Sequence, residues 1–194
     1  MTSADRAAAF EAAVLPHARA AFSLAHWLTR DAHDAEDVVQ EAWLRAIKYF
    51  ESFDGSDARA WFLMIVRNAF HRWNERRARA DAVRAGKSSD DESDRDVAAA
   101  AASRADDPAR LAERASERAQ VNRAIGELPL EYREVVVLRE LEGLSYKEIA
   151  AVVSIPIGTV MSRLARARER LRDRLAASGR DDRDARGGGA EARS

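Results

Sequence analysis

From Asp5 to Leu28, the residues Phe10, Val14, Leu15, Phe22 and Leu24 punctuate an alanine-rich stretch that reads as helix, broken near Pro16. A polar turn, Thr29 to Asp34, follows and offers an aspartate as N-cap. The next helix is expected from about Asp34 to Phe50, with Val39, Trp43, Ala46, Ile47 and Phe50 as its apolar stripe. Asp34, Glu36 and Asp37 lie in its first turn, where the helix dipole favours negative charge. Gly55 marks a short loop. A third helix starts near Asp57 or Ala58 and continues past Arg77 on a stripe of Phe62, Ile65, Val66, Ala69 and Trp73. Arg67, Asn68, His71, Arg72, Arg76 and Arg77 lie largely off that stripe.

The pattern then changes. Ser88 to Asp96 is acidic and serine-rich, Ala98 to Ala102 is plain alanine, and aromatics are absent, so little apolar surface is available to offset chain entropy. Residues 79–119 are expected to be a flexible linker, with helix resuming near Pro108. Pro129 and Gly143 then bracket a helix through Val135, Val136, Leu138 and Leu141. Ser145 and Glu148 have the spacing of a capping box for a short helix, Tyr146 to Val153. The turn Ser154-Ile155-Pro156 leads to a last helix from about Gly158 to Leu175, and the tail 176–194 is expected to be disordered. The fold class is therefore all-α: two small helical domains, 5–78 and 120–175, joined by a flexible linker.

Composition narrows the function. The 194 residues contain no cysteine, which excludes disulfides, thiolate zinc sites and a cysteine nucleophile. The N-terminus lacks a signal-peptide pattern, and no apolar run approaches the roughly 20 residues of a membrane helix, so a cytoplasmic protein without membrane insertion is expected. The net charge of −1 hides strong segregation. Arg59, Arg67, Arg72, Arg76, Arg77, Arg79, Arg84 and Lys87 face only Glu75 and Asp81 over the same stretch.

The sharpest motif lies between Leu144 and Leu171. A short capped helix, a tight turn and a longer basic helix share Ile149, Val153, Ile155, Val160 and Leu164 as a small core, which is the pattern of a helix-turn-helix. The second helix of that motif presents its N-terminal side chains to the major groove. Here those are Thr159, Met161, Ser162 and Arg163, then Arg166. Arginine can donate two hydrogen bonds to guanine, hydroxyls bond bases or phosphate, and the amides at the helix start hold phosphate. Arg168, Arg170, Arg172 and Arg174 are candidates for phosphate contacts.

Leu128-Pro129, Tyr132-Arg133-Glu134-Val135, Gly143 to Ala150, Ile155 to Val160 and Ser162 to Arg168 together closely resemble region four of extracytoplasmic-function sigma factors. Asp34 to Glu41, and Ala60-Trp61-Phe62 through Arg67-Asn68, resemble region two of the same family. Ser154 and Met161 depart from that pattern, where the family often has glycine and a basic residue. The resemblance implies a factor that binds core RNA polymerase, through the clamp helices of the large subunit and the flap region, and directs initiation at promoter DNA.

On that resemblance Asp37, Gln40, Glu41, Trp43 and Leu44 dock on polymerase, with the three polar residues facing outward. Pro156, Gly158, Thr159, Met161, Ser162, Arg163, Arg166 and Arg168 take the −35 element. Phe53, Asp54, Ser56, Asp57, Arg67, Asn68, His71, Arg72, Arg76 and Arg77 take the −10 element, where an extruded base needs a polar pocket and the strand a basic groove. Trp61 and Trp73 are read as core. An inhibitory anti-sigma partner is expected, and the linker acids Ser88–Asp96 are candidates for entering the polymerase active-site channel.

Two other readings stay open on the residues alone. One is a polymerase-independent helix-turn-helix regulator, which predicts a dimer and a palindromic site. The other is a helical interaction module that never touches DNA. His17, His26, His33 and His71 show no paired metal-ligand spacing, and no nucleophile setting is present, so neither a cofactor nor an enzymatic activity is expected.

Overall fold

The computed structural model describes residues 3–84 and 108–187. Its N-terminal half is built from α1 (Ser3–Val14), α2 (Ala18–Thr29), α3 (Ala32–Tyr49) and α4 (Ala58–Arg84). A single 3-10 turn, Leu15–His17, carries Pro16 and separates α1 from α2. Asp31 caps α3: its Oδ1 accepts from the amides of His33 at 2.8 Å and Asp34 at 3.0 Å. Helix α3 therefore starts two residues before the Asp34 that the acidic turn suggested, because the cap is Asp31.

The core of this half is formed by Leu24, Ala25 and Leu28 of α2, Ala35, Val38, Ala42 and Ala46 of α3, and Phe62, Leu63, Val66, Ala69 and Phe70 of α4. The buried face of α3 is thus nearly all alanine, which lets its neighbours approach closely. The larger residues proposed for that stripe lie at its margin: Val39, Trp43 and Phe50 are half-buried, and Ile47 is 59% exposed.

The C-terminal half comprises α5 (Pro108–Gly126), α6 (Leu130–Val136), a π-helical turn (Val137–Leu141), α7 (Tyr146–Val153) and α8 (Ile157–Gly187). Leu128, Val135, Val136, Leu138, Leu144, Ile149, Val152, Val153, Val160, Leu164 and Ala167 are buried between them. Gly143, at φ +68°, turns the chain out of the π-helical segment, and the Leu144 amide closes back on the Leu138 carbonyl at 2.9 Å.

Two boundaries differ from expectation. Helix α4 runs to Arg84, past residue 79 where the linker was expected to begin, whereas α5 begins at Pro108, where the sequence expects helix to resume. Helix α8 continues to Gly187, well into the span expected to be disordered: Leu171, Leu175, Ala176 and Ala177 are strong helix formers and no proline interrupts them. The acidic stretch Ser88–Asp96 lies outside the described residues.

The halves are not separate in space. Helix α4 packs on α7, and α2 packs on α6, so the two apolar cores form one continuous cluster.

Candidate nucleic-acid interface

The helix-turn-helix is built as its sequence demands. Ser145 Oγ accepts from the Glu148 amide at 3.2 Å, and Glu148 Oε2 accepts from the Ser145 amide at 2.6 Å, which closes the capping box. These hydrogen bonds hold the Glu148 carboxyl below its ordinary range, led by the Ser145 side chain. Helix α7 ends on Ser154 in the left-handed conformation, φ +56°. The chain then bends by 100° into α8, within the range for this motif. The Val160 and Thr159 amides bond the Pro156 carbonyl, at 3.1 and 2.9 Å, and start the new helix.

The first turns of α8 divide cleanly. Val160, Leu164 and Ala167 face the core. Pro156, Gly158, Met161, Ser162, Arg166 and Arg168 are exposed, and Thr159 and Arg163 are half-buried. Ser162 Oγ bonds the Thr159 carbonyl at 3.0 Å. Arg163 pairs with Glu131 at 3.4 Å, and Arg168 with Glu140 at 2.8 Å, a bond that raises the Arg168 pKa. Exposed candidate readers therefore lie on one face, clear of the buried one, as groove insertion requires.

The basic strip of α4 is differently disposed. Arg76 bonds Glu41, Arg72 lies 3.7 Å from the same carboxylate, and Arg77 reaches Asp34 at 2.7 Å. Arg67 turns its guanidinium onto Glu134, with Nε at 3.2 Å from Oε1 and Nη2 at 3.4 Å from Oε2, and His71 Nε2 lies 2.8 Å from Oε1. Asn68 is half-buried beside them. Candidate strand-binding cations are thus engaged with carboxylates of α3 and α6.

The loop before α4 frames a cavity of about 550 Å³. Phe53 and Trp61, with ring centroids 4.9 Å apart, and Met64 give it an apolar wall; Ser52, Asp54, Ser56 and Asp57 give it a polar rim; Lys147, Glu148 and Ala151 of α7 line its far side. Asp54 Oδ1 accepts from the Ser56 amide at 3.0 Å and hydroxyl at 2.7 Å, and these bonds, the hydroxyl's first, lower its pKa. Asp57 Oδ1 caps α4 by accepting from the Ala60 amide at 2.9 Å. An aromatic wall with a hydroxyl and carboxylate rim suits a planar heterocycle with polar edges. Trp61, read from sequence as core, packs against the core cluster and also forms part of that wall.

On α3, Asp37 and Gln40 are exposed, and Leu44 is 71% exposed. Glu41 does not face outward as expected. It is half-buried against α4, where Arg45 Nη2 holds it at 2.7 Å and Arg76 closes the other side. Burial alone would raise its pKa, but the hydrogen bonds and charges of Arg76 and Arg45 outweigh it and hold the carboxyl below its ordinary range. Trp43 is not a surface residue either: its ring packs 4.7 Å from Phe62 and 5.7 Å from Phe10. The exposed face of α3 is therefore Asp37, Gln40, Leu44 and Ile47, at helical spacing. Among the described residues no cluster of His, Asp and Glu is placed to hold a metal ion, and no single helix is long and apolar enough to cross a membrane.

Residues 13–80 match the family model described as Sigma-70 region 2, and residues 118–171 the one described as Sigma-70, region 4. The chain is 36% identical over 146 residues to the ECF RNA polymerase sigma-E factor of Escherichia coli (strain K12), across 73% of this chain and 74% of that one. It is 34% identical over 173 residues to the RNA polymerase sigma-H factor of Pseudomonas aeruginosa, across 84% of each.

The chain belongs to the ECF RNA polymerase sigma factors. It is also 32% identical over 163 residues to ECF RNA polymerase sigma factor SigE of Mycolicibacterium smegmatis, spanning 84% of this chain but only 60% of that longer protein. Two solved complexes contain chains of the same fold. RpoE from Bartonella quintana, crystallised with the anti-sigma factor NepR, superposes with a TM-score of 0.66 at 29% identity, over 84% of this chain and 93% of that one. CnrH, in complex with the cytosolic domain of CnrY, gives 0.58 at 27% identity, over 87% and 88%.

Within this sigma factor the helix-turn-helix and the loop-and-α4 surface fall in different matched regions, 118–171 and 13–80. What sequence reasoning missed is the seam between them. Glu134 is only 2% exposed and bonds α4; Arg59 Nη2 reaches Glu142 at 3.0 Å; Arg133 Nη1 donates to the Trp27 carbonyl at 3.1 Å. The one available signal was Glu134 itself, a carboxylate directly before the apolar run Val135-Val136-Val137.

Proposed function

We propose that this sigma factor binds core RNA polymerase, carries it to promoters and helps to melt the DNA. The modules 5–78 and 120–175 are its two promoter-reading units. The single observation that carries this reading is the exposed first-turn face of α8, presented by a 100° helix-turn-helix in a chain whose other half matches the companion sigma region. Pro156, Gly158, Thr159, Met161, Ser162, Arg163, Arg166 and Arg168 form the −35 surface. Phe53, Asp54, Ser56 and Asp57, with Trp61 behind them, receive an extruded base of the −10 element. Arg67, Asn68, His71, Arg72, Arg76 and Arg77 guide the strand.

Polymerase docks on the exposed α3 face, Asp37, Gln40 and Leu44, against the clamp helices, with region four on the flap. Glu41 and Trp43 support that face from within. Each DNA surface is small, so affinity for free promoter is low; mounting both units on polymerase raises their effective concentration. The chain acts in the cytoplasm, without an enzymatic step of its own. Because both of these solved neighbours are in complex with a protein, one named as an anti-sigma factor, an anti-sigma partner is proposed here too.

The test is reconstitution. Purified chain and core polymerase should give run-off transcripts from a subset of candidate promoters, where core alone gives none. Tight sequence-specific binding without polymerase, together with no transcript, would overturn the proposal in favour of a stand-alone regulator.

A further inference from the structure

Ile157 and Met161 lie one turn apart at the start of α8, and each is about half exposed. Among the described residues of α8 they are the only large apolar side chains left in water. The rest of the helix follows its pattern, with Val160, Leu164 and Ala167 closed into the core. A lone exposed apolar side chain is ordinary. Two stacked one turn apart, on the face that a helix-turn-helix presents to DNA, call for an apolar partner on the DNA itself.

The exposed face of α8 carries two ridges. Ile157, Met161 and Ala165 repeat at four-residue spacing and make an apolar one. Gly158, Ser162 and Arg166 repeat at the same spacing beside it and make the neighbouring one, which holds the hydroxyl and the cation. No side chain projects from Gly158, and a Cβ there would meet no atom within 4 Å, so nothing of the protein stands between the first turn and an approaching base edge. Two arginines of these turns are drawn aside, Arg163 to Glu131 at 3.4 Å and Arg168 to Glu140 at 2.8 Å.

The major groove offers one apolar group for such a ridge. Guanine shows N7 and O6, adenine N7 and an amino group, and cytosine an amino group, whereas thymine adds a C5 methyl to its O4. Methionine suits that target. Its thioether chain is unbranched and flexible, so it can close over a methyl that projects from the groove floor, and it carries no donor that would demand a polar partner.

We propose that Met161, flanked by Ile157, is a specificity-determining residue that receives the C5 methyl of a thymine in the −35 element. This rests on the −35 role proposed above for α8 and adds the base that its apolar ridge selects. Ser162 and Arg166 answer to polar groups of the DNA, and Met161 answers to a methyl, so the two ridges divide the reading between them.

The probe is a promoter library randomised across the −35 element and transcribed by the full chain with core polymerase. Selected templates should carry thymine at one position. Deoxyuridine placed there lacks only the C5 methyl and should lower initiation about fourfold, the factor for one methyl group returned to water. At the same position 5-methylcytosine should exceed cytosine by a similar factor. Met161→Gln keeps nearly the same length and exchanges the thioether for an amide. It should abolish the difference between thymine and deoxyuridine and move selection toward adenine, which glutamine can bond twice. Circular dichroism checks that this variant is folded, and the two methyl comparisons need only the wild-type chain.

Equal initiation from thymine and deoxyuridine in the wild type overturns the proposal, as does a selected element without thymine. A methyl effect that survives intact in folded M161Q assigns the reading to another residue and overturns it too. Absence of transcripts from every template would count against the proposed function instead. The thymine and deoxyuridine comparison would then be made on duplexes selected by direct binding to the chain, where the same outcomes decide.

Discussion

Arg133 of α6 donates from Nη1 to the carbonyl of Trp27, the third-last residue of α2, at 3.1 Å, and from Nη2 to the Leu128 carbonyl at 3.0 Å. One guanidinium thus ties a helix C-terminus of region two to the entry of α6 in region four. Burial, with Arg30 nearby, lowers its pKa to about 10, so it still carries charge at neutral pH. Cation-to-carbonyl bonds at a helix C-terminus also complement its dipole.

Replacing this side chain should destabilise both sides of the seam. Arg133→Gln keeps some polarity but cannot reach both carbonyls, so an expected loss is about 2 kcal/mol, set by two part-buried carbonyls losing a charged donor. Urea unfolding should show a lower midpoint with an unchanged slope. An unchanged midpoint would mean that water replaces the guanidinium at no cost.

Ser154 should respond in the opposite direction. It occupies φ +56°, ψ 46° at the end of α7, where a Cβ is unfavourable and glycine is at home. Nothing in the turn uses its hydroxyl among the hydrogen bonds described. Ser154→Gly should stabilise the protein by about 0.5–1 kcal/mol, less the entropy that glycine adds to the unfolded chain. A raised thermal midpoint with unchanged promoter selectivity is the expected outcome; a fall would show that the turn is not strained.

The helix-turn-helix was legible because its signals are local: Ser145 and Glu148 three apart, Pro156 in the turn, and apolar residues that pack on near neighbours in sequence. The seam was not, because Arg67 and Glu134 lie 67 positions apart, and although Glu134 borders an apolar run, nothing local to either residue names the other as its partner. The face of α3 was misjudged for a different reason. Its core contacts are made by Ala35, Ala42 and Ala46, whose small side chains give a weak periodic signal, while conspicuous Ile47 points to solvent. Glu41 similarly looked exposed until the return of α4 brought Arg76 against it.

That return gives acid sensitivity. A carboxylate whose folded pKa is depressed stabilises the fold above its unfolded value, about 4.3, and the contribution disappears as pH falls through the lower folded value. Glu41 is such a group, held by Arg76 and Arg45. The pair lies near the surface, so its worth is about 0.5–1 kcal/mol. Glu41→Gln should therefore cost that amount at pH 7, and the gap between variant and wild type should close as pH falls below about 4.3 and through the lower folded value, as read from urea midpoints across the acid range. A gap that does not narrow as the medium is made more acidic would assign the loss to packing instead of charge.

Leu44 separates docking from folding. It is 71% exposed, and Ile47, one turn on, is 59% exposed, so neither anchors the core. Leu44→Asp should leave stability within about 0.5 kcal/mol of wild type, as for most surface changes. It should nonetheless weaken association with core polymerase at least tenfold, measured by competition with a labelled wild-type chain, because an apolar contact is replaced by a charge that must be desolvated. Unchanged competition would move the docking surface off this face of α3.

Arg166 and Arg163 test how α8 meets DNA. Arg163 is already engaged with Glu131 at 3.4 Å, whereas Arg166 stands one turn further along on the exposed face. A base-contacting arginine and a phosphate-contacting one fail differently. Loss of the first costs about 1–3 kcal/mol and relaxes preference at one base pair; loss of the second weakens all sites alike and reduces the salt slope by about one. Since Arg166 lies in the helix's third turn, where the axis leaves the groove floor, Arg166→Ala should follow the phosphate pattern. Arg163→Ala, nearer the N-terminus, should follow the base pattern, offset by release of Glu131. Initiation from a panel of −35 single-base variants at two salt concentrations distinguishes the four combinations, and a uniform loss for both residues would show that α8 positions the factor while its hydroxyl and apolar groups, Thr159, Ser162 and Met161, select the sequence.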